Sequence, residues 1–157
     1  MDYAPVLDVH SNPDNPIIGQ RAISSNPEKV ARLGCKIIQG FKDARVFPVG
    51  KHFPGHGDTS QDSHLTLPQV DRRLESLEQI ELIPFAKAFQ EGLEVIMTAH
   101  VVYPAWDANI AATFSNTILK SLLRNKMGFK GLVMSDDLEM QAVTQTSEEI
   151  PALAVNA

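Results

Sequence analysis

The sequence has little that would crosslink it or place it in a membrane. Its 157 residues include one cysteine, Cys35, so an internal disulfide is excluded and a reducing compartment is favoured. No apolar run reaches the roughly 20 residues of a membrane-spanning helix. The first residues, 1–5, lack the charged and apolar regions of a signal peptide. We therefore predict a cytoplasmic protein with no membrane partner.

Positive charge is also scarce. The chain has 14 lysines and arginines against 19 acidic residues, a net charge of −5, and its basic residues are spread out. A nucleic-acid surface needs a basic patch, so nucleic acid is not expected as a partner. With 43% apolar and 21% charged residues, the composition is that of a globular protein, and we predict one domain over 1–157.

Apolar segments alternate with helical patterns along the chain. Strands are predicted over 3–9, 46–50, 95–99 and 132–135, and they are apolar throughout, as in parallel sheets covered by helices. Helices are predicted from Ser25 or Asn26 to about residue 41, from Leu74 to about residue 91 with a break at Pro84, after Ser115, and in two pieces over the last twenty residues. This β-α order predicts an α/β fold with a parallel sheet.

Polar residues follow the predicted strands. Asp8, Lys51-His52, His100 and Asp136 each come at a strand end. The carboxyl ends of parallel strands share one edge of the sheet, where ligands bind. We therefore expect Asp8, His100 and Asp136 to converge in space with His64, although they are far apart in the sequence.

The stretch 51–64 is the richest in reactive side chains, with three of the five histidines, two aspartates and a lysine. Its prolines and glycines predict a loop. One interpretation is a metal-dependent hydrolase with His52, His56 and His64 as ligands. Pro54 and Gly55 disfavour the helix that would align the first two rings. A second is a structural loop whose polar groups satisfy its own backbone.

A third interpretation of this stretch is acid–base chemistry. Asp62 lies two residues before His64, so its carboxylate could reach the ring Nδ1–H and fix the tautomer. A histidine held in this way can donate or accept a proton near neutral pH. Asp136, on another strand end, could then act as nucleophile or charge stabiliser, the general layout of glycoside hydrolysis.

Five motifs add a family resemblance that covers nearly the whole chain. Together they resemble family 3 glycoside hydrolases, and more narrowly the β-N-acetylglucosaminidases among them, the bacterial β-hexosaminidases of peptidoglycan recycling. The motifs are Ala4-Pro5-Val6-Leu7-Asp8-Val9, Ile18-Gly19-Gln20-Arg21, Lys51-His52-Phe53-Pro54-Gly55-His56-Gly57-Asp58-Thr59 with Asp62-Ser63-His64, Ile96-Met97-Thr98-Ala99-His100, and Ser135-Asp136-Asp137-Leu138-Glu139-Met140.

The resemblance implies a role for each matching residue. Asp136 would be the catalytic nucleophile, His64 the general acid/base and Asp62 its partner. Asp137 would cap a helix. No metal and no organic cofactor is implied, and the substrate would be a saccharide containing N-acetylglucosamine. Three residues would bind the hydroxyls of its sugar ring: Arg21, Lys51 and His52.

In the same loop, we expect His56 and Asp58 to brace the backbone rather than to react. The resemblance implies retaining, exo-acting hydrolysis of terminal β-linked N-acetylglucosamine from peptidoglycan-derived muropeptides, through a glycosyl-enzyme.

The implied fold is a (β/α)₈ TIM-type barrel, which needs roughly 250 residues. Four βα units would form a partial, open half-barrel, so we expect elements to be missing on both sides. Its open edges could support self-association. The alternative function is therefore an inactive truncated remnant that binds sugar or a partner chain.

Overall fold

A parallel sheet of three strands forms the centre of the computed structural model, which describes residues 1–144. The strands are β1 (Val49–Phe53), β2 (Val95–Thr98) and β5 (Leu132–Met134), in the order β1-β2-β5. Both neighbouring pairs are parallel. In the part of the chain that is described, the sheet is open and not closed into a barrel, so the predicted partial barrel is confirmed.

Helices lie before, between and after these strands. They are α1 (Pro27–Asp43), α2 (Leu74–Gln79), α3 (Leu82–Gln90), a π-helix (Thr117–Lys126) and α4 (Gln141–Thr144). Short 3₁₀ turns cover Gly19–Arg21 and Ala112–Phe114. None of the helices within residues 1–144 is long and apolar enough to cross a membrane. Of the helices predicted for the last twenty residues, only α4 lies in the described part, and residues 145–157 lie outside it.

The predicted helix starts agree with the structure, with one shift. The Asn26 side chain accepts a hydrogen bond from Lys29 N at 2.9 Å and caps α1. Ser115 Oγ accepts from Ile118 N at 3.2 Å at the start of the π-helix. The predicted break at Pro84 lies earlier, between α2 and α3. Pro84 fits into the first turn of α3 because amides there need no partner within the helix.

The first two predicted strands differ from the structure. Residues 3–9 run alongside β1 as an extended segment held by isolated bridges rather than as a regular strand, with Leu7 N donating to Lys51 O and Lys51 N to Pro5 O. Strand β1 begins at Val49, later than predicted, and continues to Phe53. Lys51 and His52 therefore belong to the strand and not to the loop. The backbone of Lys51 is paired on both sides, with the first segment and with Met97 of β2, which the sequence pattern does not reveal.

A short antiparallel hairpin was not predicted. Strands β3 (Val102–Tyr103) and β4 (Asp107–Ala111) pair where the sequence indicated only a loop. Tyr103 is fully buried, and its hydroxyl donates to Gly55 O at 2.5 Å. The hairpin therefore supports the loop that follows β1.

The two faces of the sheet have different surroundings. On one face, Ile96 packs into the main core with Ile38 of α1 and Phe85 of α3. Phe53, at the end of β1, meets Phe85 edge to face, with ring centroids 5.3 Å apart. This face is held by ordinary apolar burial between sheet and helices.

The opposite face carries only a small cluster. Val49, Val95 and Met97 pack together there, with Met134 against them. Tyr3 and Leu132 are largely exposed. Since side chains alternate along a strand, the residues of β1, β2 and β5 that point to this face lie in matching register. The face that would be the inside of a barrel is therefore open where Tyr3 and Leu132 lie, while Val49, Val95 and Met97 are buried.

We expect Gly57→Ala to destabilise the protein strongly. A Cβ at this position would lie 1.6 Å from Val9 O, so the backbone of the loop or of the first segment must move. Gly40 in α1 is the matched control, because a Cβ there has nothing within 4 Å and alanine favours helix by about 1 kcal/mol. Urea unfolding should show a lower free energy for the first variant and an equal or higher one for the second. An unchanged midpoint for Gly57→Ala would contradict the close approach.

Candidate active site

Asp8 is a completely buried carboxylate at the end of the first extended segment. Its Oδ1 accepts from the backbone N of His52 (3.1 Å) and of His56 (2.7 Å), and its Oδ2 lies 2.7 Å from His52 Nδ1. Burial raises the pKa of Asp8, but the charge and hydrogen bonds of His52, together with those of His56, lower it more, so the net pKa shift is downward. Asp8 is therefore ionised near neutral pH, and His52 donates its Nδ1–H to it.

The other nitrogen of His52 faces Asp136. His52 Nε2 and Asp136 Oδ2 are 3.9 Å apart, and the Asp136 side chain keeps a quarter of its surface exposed. Asp136 Oδ1 accepts from Asp137 N at 2.9 Å. Asp8, His52 and Asp136 thus form a line from the buried interior to the open face. The sequence placed Asp8 at this edge, but its role in orienting His52 was not predicted.

Asp62 and His64 form the predicted pair. Asp62 Oδ1 lies 2.8 Å from His64 Nδ1 and also accepts from the His64 backbone N at 2.8 Å. Slight burial raises the pKa of Asp62, but the hydrogen bonds and charge of His64 lower it by more, so the net pKa shift is downward. The ionised carboxylate can only accept, so Nδ1 carries a hydrogen and Nε2 is left for proton exchange. The predicted contact is confirmed, and the catalytic roles stay predictions.

His56 is buried and uses both ring nitrogens within the loop. Its Nδ1 lies 2.9 Å from Thr59 Oγ1, and its Nε2 lies 3.1 Å from Ser63 Oγ. Burial lowers its pKa to about 4, so the ring is neutral at pH 7. The three histidines proposed as metal ligands direct nitrogens to different partners. Within residues 1–144, no group of three His, Cys, Asp or Glu side chains is arranged to hold a metal ion.

Lys51 and Asp136 line one open cavity of about 450 Å³ on the exposed face of the sheet. Its volume falls within the range of about 300–1,000 Å³ that is usual for small-molecule sites. Among the described residues, Arg21, Asp62 and His64 are not part of its lining. The lining residues are Tyr3, Lys51, Met97, Met134, Ser135, Asp136, Asp137 and Leu138.

Arg21 lies in an exposed 3₁₀ turn, where its Nε donates to Ile17 O at 3.0 Å. Asn15 connects this turn to the loop after β1. Its Oδ1 accepts from Ile17 N and Ile18 N, and its Nδ2 donates to His56 O at 2.9 Å. The structure thus joins the Arg21 turn to the histidine loop, while a contact between Arg21 and Asp136 is not observed in the described residues.

Asp58 braces the loop, as expected. Arg72 Nε donates to Asp58 Oδ2, and its second terminal nitrogen donates to Asp58 Oδ1, both at 2.5 Å. Two parallel charge-assisted hydrogen bonds fix the orientation of both groups. The loop is therefore attached to the segment that precedes α2.

His100 holds the residue next to Asp136. Its Nε2 lies 3.0 Å from Asp137 O, and because a carbonyl only accepts, this nitrogen carries the hydrogen. His100 Nδ1 lies 2.8 Å from Thr113 Oγ1. The Asp137 side chain accepts from Glu139 N at 2.9 Å, so it caps a turn, in line with its expected local role. His100 therefore links the end of β2 to the backbone that carries Asp136.

Glu81 is a buried acid that the sequence did not single out. Its Oε1 accepts from Ser11 Oγ at 2.9 Å, and its Oε2 is buried with no hydrogen-bond partner in the described structure. Burial raises its pKa from an ordinary 4.5 to about 8; the hydrogen bond from Ser11 opposes this and nearby Asp8 adds to it. The carboxyl group is therefore protonated at pH 7.

We expect the stability of the protein to respond to pH through Glu81. The folded state keeps a proton that the unfolded chain releases above about pH 4.5, so the contribution of Glu81 to stability falls as pH rises to about 8. Glu81→Gln has no carboxyl group to titrate, so between pH 5 and 8 its free energy of unfolding should rise relative to that of the wild type by about 4 kcal/mol. Urea unfolding of both proteins at several pH values measures this difference. If the free energies of unfolding of the two proteins changed in parallel with pH, a buried and protonated Glu81 would be contradicted.

A TIM-barrel-like sheet with carboxylates and an Asp–His pair beyond its carboxyl edge is compatible with the barrel-type glycoside hydrolases that the sequence motifs resemble. The sequence profile of the Glycosyl hydrolase family 3 N terminal domain matches residues 1–157. The chain belongs to this family.

Similar proteins agree with this assignment. The chain is 45% identical to a beta-hexosaminidase of Neisseria meningitidis serogroup C over 141 residues, which cover 90% of the chain and 38% of that protein. Among solved structures, a glycoside hydrolase family 3 beta-N-acetylglucosaminidase from Paenibacillus is 44% identical, with a TM-score of 0.95 over 98% of the chain and 30% of that protein.

A third similar protein is NagZ from Neisseria gonorrhoeae, solved in complex with N-trifluoroacetyl-D-glucosamine. It is 41% identical, with a TM-score of 0.89 over 99% of the chain and 44% of that protein. The chain therefore spans less than half the length of each of these three relatives.

Proposed function

We propose that this chain carries the reacting groups of a retaining exo-β-N-acetylglucosaminidase. The observation that supports this most is the Asp62–His64 pair, which leaves His64 Nε2 for proton exchange. Asp136 supplies a second acidic group on the open face, beside His52. Family membership and the acetylglucosamine analogue bound by the gonococcal relative support the substrate class.

In the first step, an Asp136 carboxylate oxygen attacks the anomeric carbon of the terminal sugar. The glycosidic C–O bond breaks, and the leaving oxygen takes the proton from His64 Nε2. The charge of His64 is stabilised by the Asp62 carboxylate through Nδ1–H. The product is a glycosyl ester of Asp136.

In the second step, His64 acts in reverse. Its neutral Nε2 removes a proton from water, the water oxygen attacks the anomeric carbon, and the bond to Asp136 breaks. The two inversions return the sugar with retained configuration. In this proposal His52, Lys51 and Arg21 hold the sugar hydroxyls, and the Asp8 carboxylate fixes the ring of His52.

The natural substrate in this proposal is a cytoplasmic muropeptide that ends in β-linked N-acetylglucosamine, and no cofactor takes part. Hydrolysis of a chromogenic β-N-acetylglucosaminide tests the activity, and NMR of the first-formed sugar anomer tests retention. A β anomer is expected. An α anomer would overturn the double displacement, and a folded protein without turnover would overturn the enzyme assignment.

A second candidate function is a non-catalytic remnant that binds sugar or a partner chain. The open sheet face, with Tyr3 and Leu132 exposed, favours it. In that case the mass in solution should rise with concentration, as self-association through open edges predicts, while hydrolysis is absent. The metal-dependent alternative predicts loss of turnover with a chelator, and our proposal predicts an unchanged rate.

A further inference from the structure

Ser63 lies between the two members of the Asp–His pair and is held more firmly than either. Ser63 is 2% exposed, whereas the side chains of Asp62 and His64 are 28% and 61% exposed. Its Oγ lies 3.1 Å from His56 Nε2, and its carbonyl oxygen accepts from Ala142 N at 3.3 Å. Ser63 therefore joins the acid/base segment to the loop after β1 and to α4, which follows Asp136 in the chain.

The direction of the His56–Ser63 hydrogen bond follows from its surroundings. Thr59 uses its single hydroxyl hydrogen on His56 O at 3.2 Å, so its oxygen accepts from Asn15 Nδ2 and from His56 Nδ1. In this arrangement His56 Nδ1 carries the ring hydrogen, a tautomer that the NMR measurement below tests. With its lowered pKa, the ring is neutral and Nε2 is bare at pH 7. Ser63 Oγ–H therefore donates to His56 Nε2.

We propose that His56 and Ser63 are positioning residues that fix the Asp62–His64 pair relative to Asp136. His56 is itself anchored by Thr59 and by its backbone bond to Asp8, so it gives Ser63 a rigid partner. Without the Ser63–His56 hydrogen bond, Asp62 and His64 would keep their mutual contact, but their position relative to Asp136 would no longer be fixed. This inference rests on the proposed function, in which a displacement of about 1 Å can cost about 10²-fold in rate.

Ser63→Ala tests the positioning, with Ser60→Ala as the matched control, because Ser60 is an exposed serine of the same loop. On a β-N-acetylglucosaminide with an unactivated leaving group, kcat of Ser63→Ala should fall about 10²-fold with little change in KM. For a dinitrophenyl glycoside, whose leaving group needs no proton, kcat/KM reports the first step alone and should fall much less than kcat/KM on the unactivated substrate. The control should keep the wild-type rate on both. Equal losses on both substrates, or no loss, would overturn the inference.

A double-mutant cycle tests whether His56 acts through Ser63. His56→Phe keeps a ring and removes both nitrogens. Combined with Ser63→Ala, it should slow the reaction hardly more than His56→Phe alone, because the same hydrogen bond is already lost. Losses that multiply would show that the two residues act independently and would overturn the pairing.

NMR relaxation separates this inference from the proposed function. Long-range ¹H–¹⁵N spectra should show His56 as the neutral Nδ1–H tautomer. In Ser63→Ala the amide of His64 should become more mobile, while amides of α1 and β2 keep their wild-type relaxation. A folded wild type without turnover would overturn the proposed function but leave this measurement valid. Unchanged relaxation at His64 would overturn the inference.

Discussion

Asp136→Asn is expected to reduce hydrolysis of a chromogenic β-N-acetylglucosaminide by at least about 10³-fold. The amide has the size of the carboxylate but is a far weaker nucleophile, so the glycosyl-enzyme cannot form. Asp136 Oδ1 accepts from Asp137 N, and an amide oxygen can do the same, so the local turn is kept. Initial rates with substrate in excess measure the effect, and circular dichroism checks the fold.

The neighbouring aspartate provides the matched control. Asp137 makes a local contact, accepting from Glu139 N, and Asp137→Asn retains an oxygen for it. This variant should keep kcat within a few-fold of the wild type. If Asp137→Asn lost more activity than Asp136→Asn, the assignment of the nucleophile would be wrong and the two roles would be exchanged.

His64→Ala is expected to show a loss that depends on the leaving group. Removal of a general acid/base costs typically about 10²–10⁴-fold. On an alkyl or saccharide glycoside both steps slow down, whereas a dinitrophenyl leaving group departs without a proton. With that substrate the glycosyl-enzyme accumulates, and azide, which needs no general base, should raise the rate and yield a β-glycosyl azide.

Gln61→Ala is the control for His64→Ala, because Gln61 is exposed in the same loop. It should behave as the wild type with and without azide. Failure of azide to accelerate His64→Ala on the activated substrate would contradict an acid/base role. Asp62→Asn should show a weaker form of the His64→Ala behaviour, because it removes the charge that supports Nδ1–H but keeps an acceptor.

Substitutions at Glu81 and Gly57 change the stability of the fold, whereas substitutions at Asp136 and His64 change the chemistry. Gly57 lets the loop after β1 approach Val9 O, and Glu81, at the start of α3, accepts from Ser11 Oγ. A variant that is partly unfolded will also lose activity, because less folded protein is present. The leaving-group and azide measurements distinguish a displaced or absent acid/base from a protein that is only less stable.

Local features of the sequence predicted the parallel α/β class, most helix starts and the Asp62–His64 contact. These depend on short-range chemistry, such as the Asn26 cap and the two-residue spacing of the pair. Strand limits were less predictable. Lys51 lies in β1 because the first segment pairs with it from the other side, and the His52 amide is held by the Asp8 carboxylate; local propensity encodes neither contact.

The contacts made over long sequence distances were decided only by the tertiary structure. Asp8 meets His52 across 44 positions, and His100 reaches the backbone of Asp137 across 37. Glu81 is buried beside Ser11, and its pKa is raised by that burial. By itself the sequence determined which reactive groups the chain carries and the edge of the sheet where they lie. Partners, protonation and the open face depend on packing, because burial and distance arise only when remote segments meet.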